Sequence, residues 1–465
     1  MEIFLHNTLS GKKELFKPLK KGHVGMYHCG PTVYWDQQLG NMRAMVEADL
    51  IRRTFMLDGY DVNYVRNYTD VGHLTGDNQG DADTGEDRME KAARREHAAP
   101  EKIADKYIAN FERDIALLNI LPATHSPRAT EHIADMIDMV KTLIDKGYAY
   151  VTPLAVYFDV TKFKDYTKLS GQKLDDLESG EGHGSIASDP NKKHPQDFAL
   201  WFLKTGVHTN ALQTWPSPWG EGFPGWHIEC SAMSKHFLGP TLDIHMGGVE
   251  HVSIHHTNEI AQSEAANGVT FVDYWLHNEH LVVDNKRMGK SEGNALVVPD
   301  VVAKGFDPLA LRYFFLQAHY RSKQNFTWQA LEASQTALKK MRKAVVGAAD
   351  GGKIDKSYQE GFLTAVHDDF NFPAGLAVAW EVIKDPKLSD MDKRATLLYF
   401  DKVFGLELGK KEELAIPADV QKLLDARAAA RIGKDFKRSD ELRDEISRLG
   451  YEVKDSPNGQ IIAKK

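Results

Sequence analysis

The sequence lacks the features that mark exported and membrane proteins. Its first residues, MEIFLHNTLSGKKELF, contain no apolar run of the kind found in a signal peptide. No stretch of about 18 apolar residues is present that could span a bilayer. We therefore expect a cytoplasmic protein with no membrane partner. No internal repeat is detectable.

Cysteine is scarce, since Cys29 and Cys230 are the only two in the chain and lie 201 residues apart. In a reducing compartment, thiolates that bind a metal or take part in catalysis fit this pattern better than a disulfide across so long a loop. Burial of both as small hydrophobic side chains is an alternative that their number alone leaves open.

Positive charge is not in excess. The 465 residues carry a net charge of −8, which argues against a protein that coats nucleic acid over its whole surface but allows a local basic face. The composition is that of an ordinary globular protein, 42% hydrophobic and 27% charged. This length exceeds what one hydrophobic core usually serves, so we expect a large catalytic body with smaller appended domains.

The pattern near the start of the chain predicts a βαβ unit. VGMYHC indicates a buried strand, NMRAMVEADLIRRTFMLDG an amphipathic helix that ends at glycine, and VNYVRNYT a second strand. In such a unit the ligand binds where the first strand leads into the helix. The residues from Cys29 to Asn41 should therefore lie at the carboxyl edge of a parallel sheet.

The later pattern indicates a nucleotide-binding α/β fold with an insertion. From about Thr84 to Gly147 the chain is helical and charged, and residues 150–222 mix short strands with LESGEGHGSIASDPNKKHPQD, which we interpret as a mobile surface loop. Parallel strands resume with TLDIHMGG and YWLHNEHLVVD, after an insertion of roughly 100 residues. After about Leu309 we expect helices almost throughout, up to a final hairpin in YEVKDSPNGQII.

The segment HHTNE, from His255 to Glu259, suggests a metal site. If it is helical, the spacing of four residues puts imidazole and carboxylate on one face. With Cys29 and Cys230 they would make a four-ligand zinc set, although the usual closely spaced ligand pairs are missing. Paired surface charges explain the spacing equally well.

Six segments together resemble the cysteinyl-tRNA synthetase family, which belongs to the class I aminoacyl-tRNA synthetases. They are MYHCGPTVY, PRATEHI, GWHIECSAM, DIHMGG, HHTNEIAQSEA and AHYRS, in the family's order and at its spacing. The resemblance runs from the first strand to the last hairpin. It implies activation of L-cysteine with ATP and transfer of the cysteinyl group to tRNA(Cys).

The resemblance implies a role for each segment. Cys29, Cys230, His255 and Glu259 would bind one Zn²⁺ per chain, and the substrate thiolate would join this metal, where serine's hydroxyl would be a poor ligand. No editing domain would then be required. The implied cysteine-binding residues are Gly30, Thr69 and Trp226. Burial of Trp226 in the core is the more common fate of a tryptophan.

The two catalytic signatures of the family are altered here. QLGN, from Gln38 to Asn41, stands where class I enzymes carry HIGH; Asn41 is common in the family, so Gln38 is the departure. The implied ATP-binding residues are Gln38, Gly40, Asn41 and Lys290. Amide side chains can donate hydrogen bonds to phosphate but cannot become cations, so we predict that activation is slowed by about 10- to 1000-fold.

The second signature, KMSKS, appears as RMGKS, from Arg287 to Ser291. Lys290 keeps the position of the lysine that neutralises the ATP phosphates in the family, and Arg287 keeps charge at the first position. With Gln38 and Asn41, these two are the implied catalytic residues. ATP would bring Mg²⁺.

The resemblance implies a class I Rossmann-like catalytic domain followed by helical domains. We predict a catalytic domain at 1–280 with a connective insertion at about 110–222, a KMSKS-type loop and stem-contact region at 281–330, a helical bundle at 331–410 and an anticodon-binding domain at 411–465. Residues 411–465 hold 12 Lys and Arg against 11 Asp and Glu, which is less acidic than the rest. A charged helical pair packed on its neighbours explains this composition at least as well.

Two alternative functions remain open from the sequence. One is a relative that ligates activated cysteine to a small amine, and the other is a catalytically weak protein that binds tRNA or cysteine. The altered QLGN is the only feature that favours the binding protein, and the retained C-terminal part argues against the small-amine ligase. We expect a monomer by analogy with the family.

Overall fold

The computed structural model of the chain describes residues 2–76, 85–172, 189–289, 293–410, 417–456 and 459–464. The chain forms two compact units, Met1–Leu408 and Gly409–Lys465. None of the helices in the described ranges is long and apolar enough to cross a membrane.

The strands within these ranges are short. They are β1 Phe4–Asn7, β2 Lys12–Leu15, β3 His23–His28, β4 Asp61–Arg66, β5 Ala149–Val151, β6 Ala155–Phe158, β7 Phe198–Leu203, β8 Trp215–Ser217, β9 Gly220–Pro224, β10 Leu242–Gly248, β11 Val272–Asn278, β12 Leu281–Val283, β13 Lys286–Arg287, β14 Gln324–Phe326, β15 Tyr451–Ser456 and β16 Gly459–Lys464.

The helices make up most of the remaining ordered elements. They are α1 Leu39–Leu57, α2 Arg88–Glu96, α3 Pro100–Leu117, α4 Ile133–Asp145, α5 Trp226–Leu238, α6 His255–Asn267, α7 Val298–Ala303, α8 Pro308–Leu316, α9 Trp328–Val346, α10 Lys356–His367, α11 Phe372–Lys384, α12 Asp390–Phe404, α13 Ala418–Ile432 and α14 Phe436–Arg448.

A four-stranded parallel sheet in the order β11-β10-β3-β4 forms the centre of the first unit. The apolar runs of β3 and β10 are buried, which explains why both could be predicted from sequence. Between β4 and β10 the chain makes its long excursion, so the two halves of the sheet are brought together by tertiary structure. The α/β prediction for this part of the chain is confirmed.

A buried arginine fixes α1 against the segments that follow β11. The Arg43 guanidinium donates hydrogen bonds to the carbonyl oxygens of Glu279, His280, His319 and Ser322. It also pairs with Glu47, one turn along the same helix. Because Arg43 lies in the second turn of α1, these bonds hold the start of the helix beside the end of the sheet.

The insertion carries a five-stranded antiparallel sheet in the order β5-β6-β7-β9-β8. The predicted mobile loop covers residues 177–197, of which 177–188 lie outside the described residues. Residues 189–197 of this loop are described, and the prediction that they lie at the surface is wrong for the last of them. Asp197 is 1% exposed and accepts hydrogen bonds from the Tyr150 hydroxyl and the Val160 amide.

The prediction of helices after Leu309 is correct for α9 to α12 but misses one strand. β14 pairs in parallel with β12, which also pairs with β13. A strand of three residues is specified by these neighbours more than by its own sequence.

The second unit consists of α13, α14 and the hairpin of β15 and β16. The hairpin is the one predicted from sequence. Arg427 of α13 is buried and donates hydrogen bonds to Asp455 and Gln460, which ties this helix to the hairpin.

Candidate active site

Four predicted metal ligands meet at the carboxyl edge of the parallel sheet. Cys29 directly follows β3, Cys230 lies on α5, and His255 and Glu259 lie one turn apart on α6. All four are buried, with at most 8% of their surface exposed. Segment HHTNE is thus helical, as predicted, and presents its imidazole and carboxylate on one face.

The donor atoms of these four side chains lie within 4.8 Å of one another. Cys29 Sγ is 3.8 Å from Cys230 Sγ and 3.6 Å from Glu259 Oε1. His255 Nε2 is 3.0 Å from the same oxygen without forming a well-aligned hydrogen bond to it, and His255 also interacts with Cys230. Such a buried nitrogen beside two thiols and a carboxylate fits a zinc ion.

The charges of this cluster depend strongly on one another. Burial opposes a charge on His255, but the Glu259 carboxylate and the neighbouring Cys230 together outweigh it and raise the pKa of His255 to about 10. A hydrogen bond with Cys29 lowers the pKa of Cys230 to about 6 against the effect of burial, whereas burial raises the pKa of Cys29 well above its usual value. Cys230 is therefore the thiol that ionises more readily.

Two further imidazoles reach the same thiol and carboxylate. His245 Nε2 lies 3.0 Å from Glu259 Oε2, and His256 Nε2 lies 3.4 Å from Cys29 Sγ. The donors of Cys29, His245, His256 and Glu259 also fall within 4.8 Å of one another. Zinc favours the set with two sulfurs, so His245 and His256 are better placed to orient the ligands than to replace them.

Trp226, the first residue of α5, lies between two imidazole rings. Its ring stacks on His73 at 4.1 Å with an interplanar angle of 8°, whereas the His255 ring lies 4.2 Å away and is tilted by 33°. The His73 Nδ1 atom is 2.6 Å from the Thr32 hydroxyl oxygen. Trp226 is half-buried beside the cluster, so it is not the core side chain that composition alone would favour.

Gly30 and Thr69 meet at the ends of β3 and β4. A Cβ atom on Gly30 would lie 1.6 Å from the Asn67 carbonyl oxygen, so only glycine fits there. The Gly30 amide donates to Asn67 Oδ1 at 2.9 Å, and Asn67 Nδ2 donates to the hydroxyl of the buried Thr69. The backbone that approaches Gly30 closely is thus the protein's own.

The residues of QLGN form the beginning of α1. Gln38 precedes the helix and does not cap it with its side chain, while Asn41 donates to Gln37 Oε1 at 2.6 Å. A Cβ atom on Gly40 would make only an ordinary 3.8 Å contact with Leu281. Since the Gly40 and Asn41 amides in the first turn have no partner within the helix, this end can bind an anion.

Arg287 is exposed on β13, while Lys290 lies outside the described residues. The Asn294 side chain donates to the Arg287 carbonyl oxygen and accepts from the Gly289 amide. Shortly after, Leu296 accepts a hydrogen bond from the Leu39 amide. The two altered signatures therefore belong to neighbouring segments.

Sequence reasoning missed His245, His73 and Asn294. His245 could have been noticed as a polar residue inside the apolar strand TLDIHMGG. His73 gave no comparable signal, because its importance depends on stacking with a residue far along the chain. Asn294 follows RMGKSEG closely and could have been examined as a turn residue.

Comparison with protein families places these features in a known class. The model described as tRNA synthetases class I (C) catalytic domain matches residues 15–336. The model described as Cysteinyl-tRNA ligase anticodon binding domain matches residues 414–462. Fold and site together define a class I aminoacyl-tRNA synthetase.

Curated relatives match along the whole chain. Cysteine–tRNA ligase 1 of Burkholderia lata is 43% identical over 465 residues, which cover 99% of this chain and 97% of the relative. The cysteine–tRNA ligase of Treponema denticola is 38% identical and covers 100% of both chains. The chain belongs to the cysteinyl-tRNA synthetase family, which confirms the family predicted from the sequence segments.

Solved structures support the fold at much lower identity. Methionyl-tRNA synthetase of Mycobacterium tuberculosis, bound by methionyl-adenylate, matches with a TM-score of 0.56 and 14% identity over 84% of this chain and 90% of that chain. LeuRS from a ternary complex of Agrobacterium radiobacter matches with a TM-score of 0.59 and 12% identity, covering 86% of each chain. The predicted fold class is confirmed.

Proposed function

We propose that the protein is a cysteine–tRNA ligase. It forms cysteinyl-adenylate from L-cysteine and ATP, and then transfers the cysteinyl group to tRNA(Cys). The observation that carries this proposal is the buried cluster of Cys29, Cys230, His255 and Glu259 beside Trp226 in a chain of this family. A sulfur-rich cluster at the ligand edge of the sheet suits a substrate that carries a thiol.

The cluster would hold one Zn²⁺. Bound there, the ion would supply a coordination position for the substrate thiolate, a bond that the hydroxyl of serine forms poorly. Glu259 is held through its second oxygen by His245, which fixes the carboxylate. Trp226, which contacts His73 and His255, and Thr69 would bind the amino acid.

In the first step a carboxylate oxygen of cysteine would attack the α-phosphorus of ATP. A new P–O bond forms, the bond to the β-phosphate oxygen breaks, and pyrophosphate leaves with Mg²⁺. The amides at the start of α1 and the side chains of Gln38 and Asn41 would donate to phosphate oxygens, with Gly40 leaving room for them. Arg287 and Lys290 would neutralise the charge of the leaving group.

In the second step a hydroxyl of the terminal ribose of tRNA would attack the cysteinyl carbonyl carbon, and AMP would leave. The match of the anticodon-binding model to residues 414–462 favours tRNA over a small amine as the acceptor. In the same unit Ile432 is 86% exposed and Phe436 is 60% exposed, next to Lys434 and Lys437. Exposed apolar side chains among cations suit stacking bases and a phosphate backbone. The cytoplasmic location and the monomeric state remain predictions.

The test is aminoacylation of total tRNA by the purified full chain with ATP, Mg²⁺ and Zn²⁺, with serine in matched reactions. We expect charging with cysteine and none above background with serine. Cysteine-dependent exchange of pyrophosphate into ATP without charging would overturn tRNA as the acceptor and favour the small-amine ligase. Absence of both reactions from folded, zinc-loaded protein would favour the binding protein.

A further inference from the structure

Two imidazoles and one carboxylate meet at a second place in the first unit. His132 precedes α4, Asp135 lies in the first turn of α4, and His236 lies in the last turn of α5. His132 Nδ1 is 2.8 Å and His236 Nδ1 is 3.1 Å from the same Asp135 oxygen, Oδ2. His236 is six residues beyond Cys230, or about 9 Å along the helix, so this group is separate from the buried cluster.

The positions of the two rings are well defined. The ring centroids of His132 and His236 are 4.8 Å apart, with an interplanar angle of 70°. Phe237 packs against both rings, at 5.4 Å from His132 and 4.7 Å from His236. The His132 side chain is 10% exposed, that of Asp135 is 40% exposed and that of His236 is 47% exposed. One imidazole is therefore anchored in the protein while the other two ligands face solvent.

These distances are close to those of a bound transition metal. Zinc lies about 2.0–2.2 Å from nitrogen and oxygen ligands, which puts the donors of a tetrahedral ion about 3.3 Å apart. The observed 2.8 and 3.1 Å require the two pairs of imidazole nitrogen and carboxylate oxygen to open by only a few tenths of an ångström, and all three donors lie within 4.8 Å of one another. The solvent side leaves room for water as a further ligand.

We propose that His132, Asp135 and His236 form an accessory site for a borderline divalent metal of the Zn²⁺ and Co²⁺ type. Two imidazoles with one carboxylate suit these ions rather than Mg²⁺ or Ca²⁺, which take oxygen ligands. The bound ion would join α4 to α5, the helix that carries Trp226 and Cys230. This site does not depend on the proposed function.

The competing explanation is a pair of hydrogen bonds from two protonated Nδ1 atoms to one carboxylate oxygen. Equilibrium dialysis of the full chain against Zn²⁺ separates the two explanations. We expect His236→Gln and Asp135→Asn each to bind one ion fewer per chain than the unaltered protein. His236 is half exposed, so its replacement should leave the fold intact.

The matched control is His23→Gln. His23 Nδ1 lies 3.1 Å from Asp61 Oδ2, an exposed pair that belongs to no group of three metal-ligating side chains in the described part of the chain. This variant should bind as much Zn²⁺ as the unaltered protein. The accessory site is wrong if His236→Gln retains the full complement of zinc, or if His23→Gln loses as much as His236→Gln does.

Titration with Co²⁺ gives a second readout that identifies which site has been lost. Thiolate ligands produce an intense near-ultraviolet charge-transfer band, which only Cys29 and Cys230 can supply. His236→Gln should keep this band and lose part of the weaker visible absorption. Loss of the band would assign the missing ion to the cysteine cluster and overturn the accessory site. If the cysteine cluster holds no metal at all, the difference of one ion between the unaltered protein and His236→Gln still tests the accessory site.

Discussion

Two adjacent histidines face the buried cluster with different surroundings. The Nδ1 atom of each ring lies beside another imidazole, His227 at 2.9 Å for His255 and His277 at 2.7 Å for His256. The Nε2 atoms differ, since that of His255 lies 3.0 Å from Glu259 Oε1 and that of His256 lies 3.4 Å from Cys29 Sγ. We predict that His255→Gln removes the zinc of this cluster, because a ligand is lost. His256→Gln should retain it with about 10- to 100-fold weaker affinity, as expected for a residue that orients ligands. Zinc content and competition with a chelator measure both effects.

Comparing His255→Gln with His256→Gln also decides between the two possible sets of zinc ligands. If His256 and His245 were ligands in place of Cys230 and His255, then His256→Gln would lose the ion and His255→Gln would keep it. His277→Gln is the matched control, since it touches His256 but no member of the predicted set. It should change zinc affinity no more than His256→Gln does.

Cys230→Ser tests the link between the metal and cysteine activation. The substitution replaces a sulfur ligand with a hydroxyl, so the loss should exceed that of a residue that only orients ligands. We expect cysteine-dependent exchange of pyrophosphate into ATP to fall by about 100-fold or more. Ser234→Ala, a buried change one turn further along α5, should leave exchange near its original rate. Undiminished exchange in Cys230→Ser would remove the metal from the mechanism.

Single residues differ in how far the sequence could predict them. Cys29, Cys230, His255 and Glu259 could be grouped because their chemistry is rare and HHTNE has helical spacing. His73 could not be grouped with them, because stacking on Trp226 joins residues that are distant in the chain. His245 was quoted within DIHMGG, yet nothing in a strand's own pattern says which buried carboxylate its side chain reaches.

At the scale of elements, the start of α1 contains QLGN, which stands in place of the HIGH signature of class I enzymes. The Gln38 side chain does not cap the helix, so its removal should cost little stability. We predict that Gln38→Ala slows exchange by about tenfold or more, because a donor to the phosphates is lost. Gln329→Ala removes an exposed glutamine from the first turn of α9 and serves as control.

Two outcomes bear on this role of Gln38. An equal loss in Gln329→Ala would point to a general effect of glutamine removal. An unchanged rate in Gln38→Ala, with thermal stability also unchanged, would show that the helix amides bind ATP without this side chain. Gln38→His should raise the rate if the missing histidine is what limits activation.

The elements themselves could be predicted where local pattern was strong. β3, α1 and β4 follow from an apolar strand, an amphipathic helix and a second apolar strand, and α6 from the spacing in HHTNE. β14 could not be predicted, because three residues gain their strand conformation by pairing with β12. Asp197 likewise belongs to a loop-like sequence, yet it is buried and accepts a hydrogen bond from Tyr150, a contact that exists only in the folded sheet.

At the scale of the whole molecule, the order of strands is the part that sequence specified least. β10 pairs with β3, although more than 200 residues of the chain lie between these two strands. The sequence pattern predicted that parallel strands resume after the insertion but gave no order for them, since hydrophobic periodicity describes elements and not their neighbours. The predicted domain boundaries remain predictions, although the described chain forms a first unit that ends at Leu408.

The second unit offers a way to separate tRNA binding from amino acid activation. Phe436 begins α14, is 60% exposed and is followed by Lys437 and Arg438. Because a base stacked on an aromatic ring contributes about 1–3 kcal/mol, we predict that Phe436→Ala lowers kcat/KM for tRNA by about tenfold or more. Exchange of pyrophosphate into ATP, which needs no tRNA, should be unchanged.

Leu449→Ala is the matched control for this prediction. Leu449 is also an exposed apolar residue of the second unit, at 46% exposure, but it is aliphatic and follows the last turn of α14. Equal losses in both variants would indicate a general effect of apolar surface on the unit. A loss of exchange in Phe436→Ala would show that the change acts on the catalytic unit. Only a selective loss of charging supports base stacking, because stacking requires a ring and acts after the adenylate has formed.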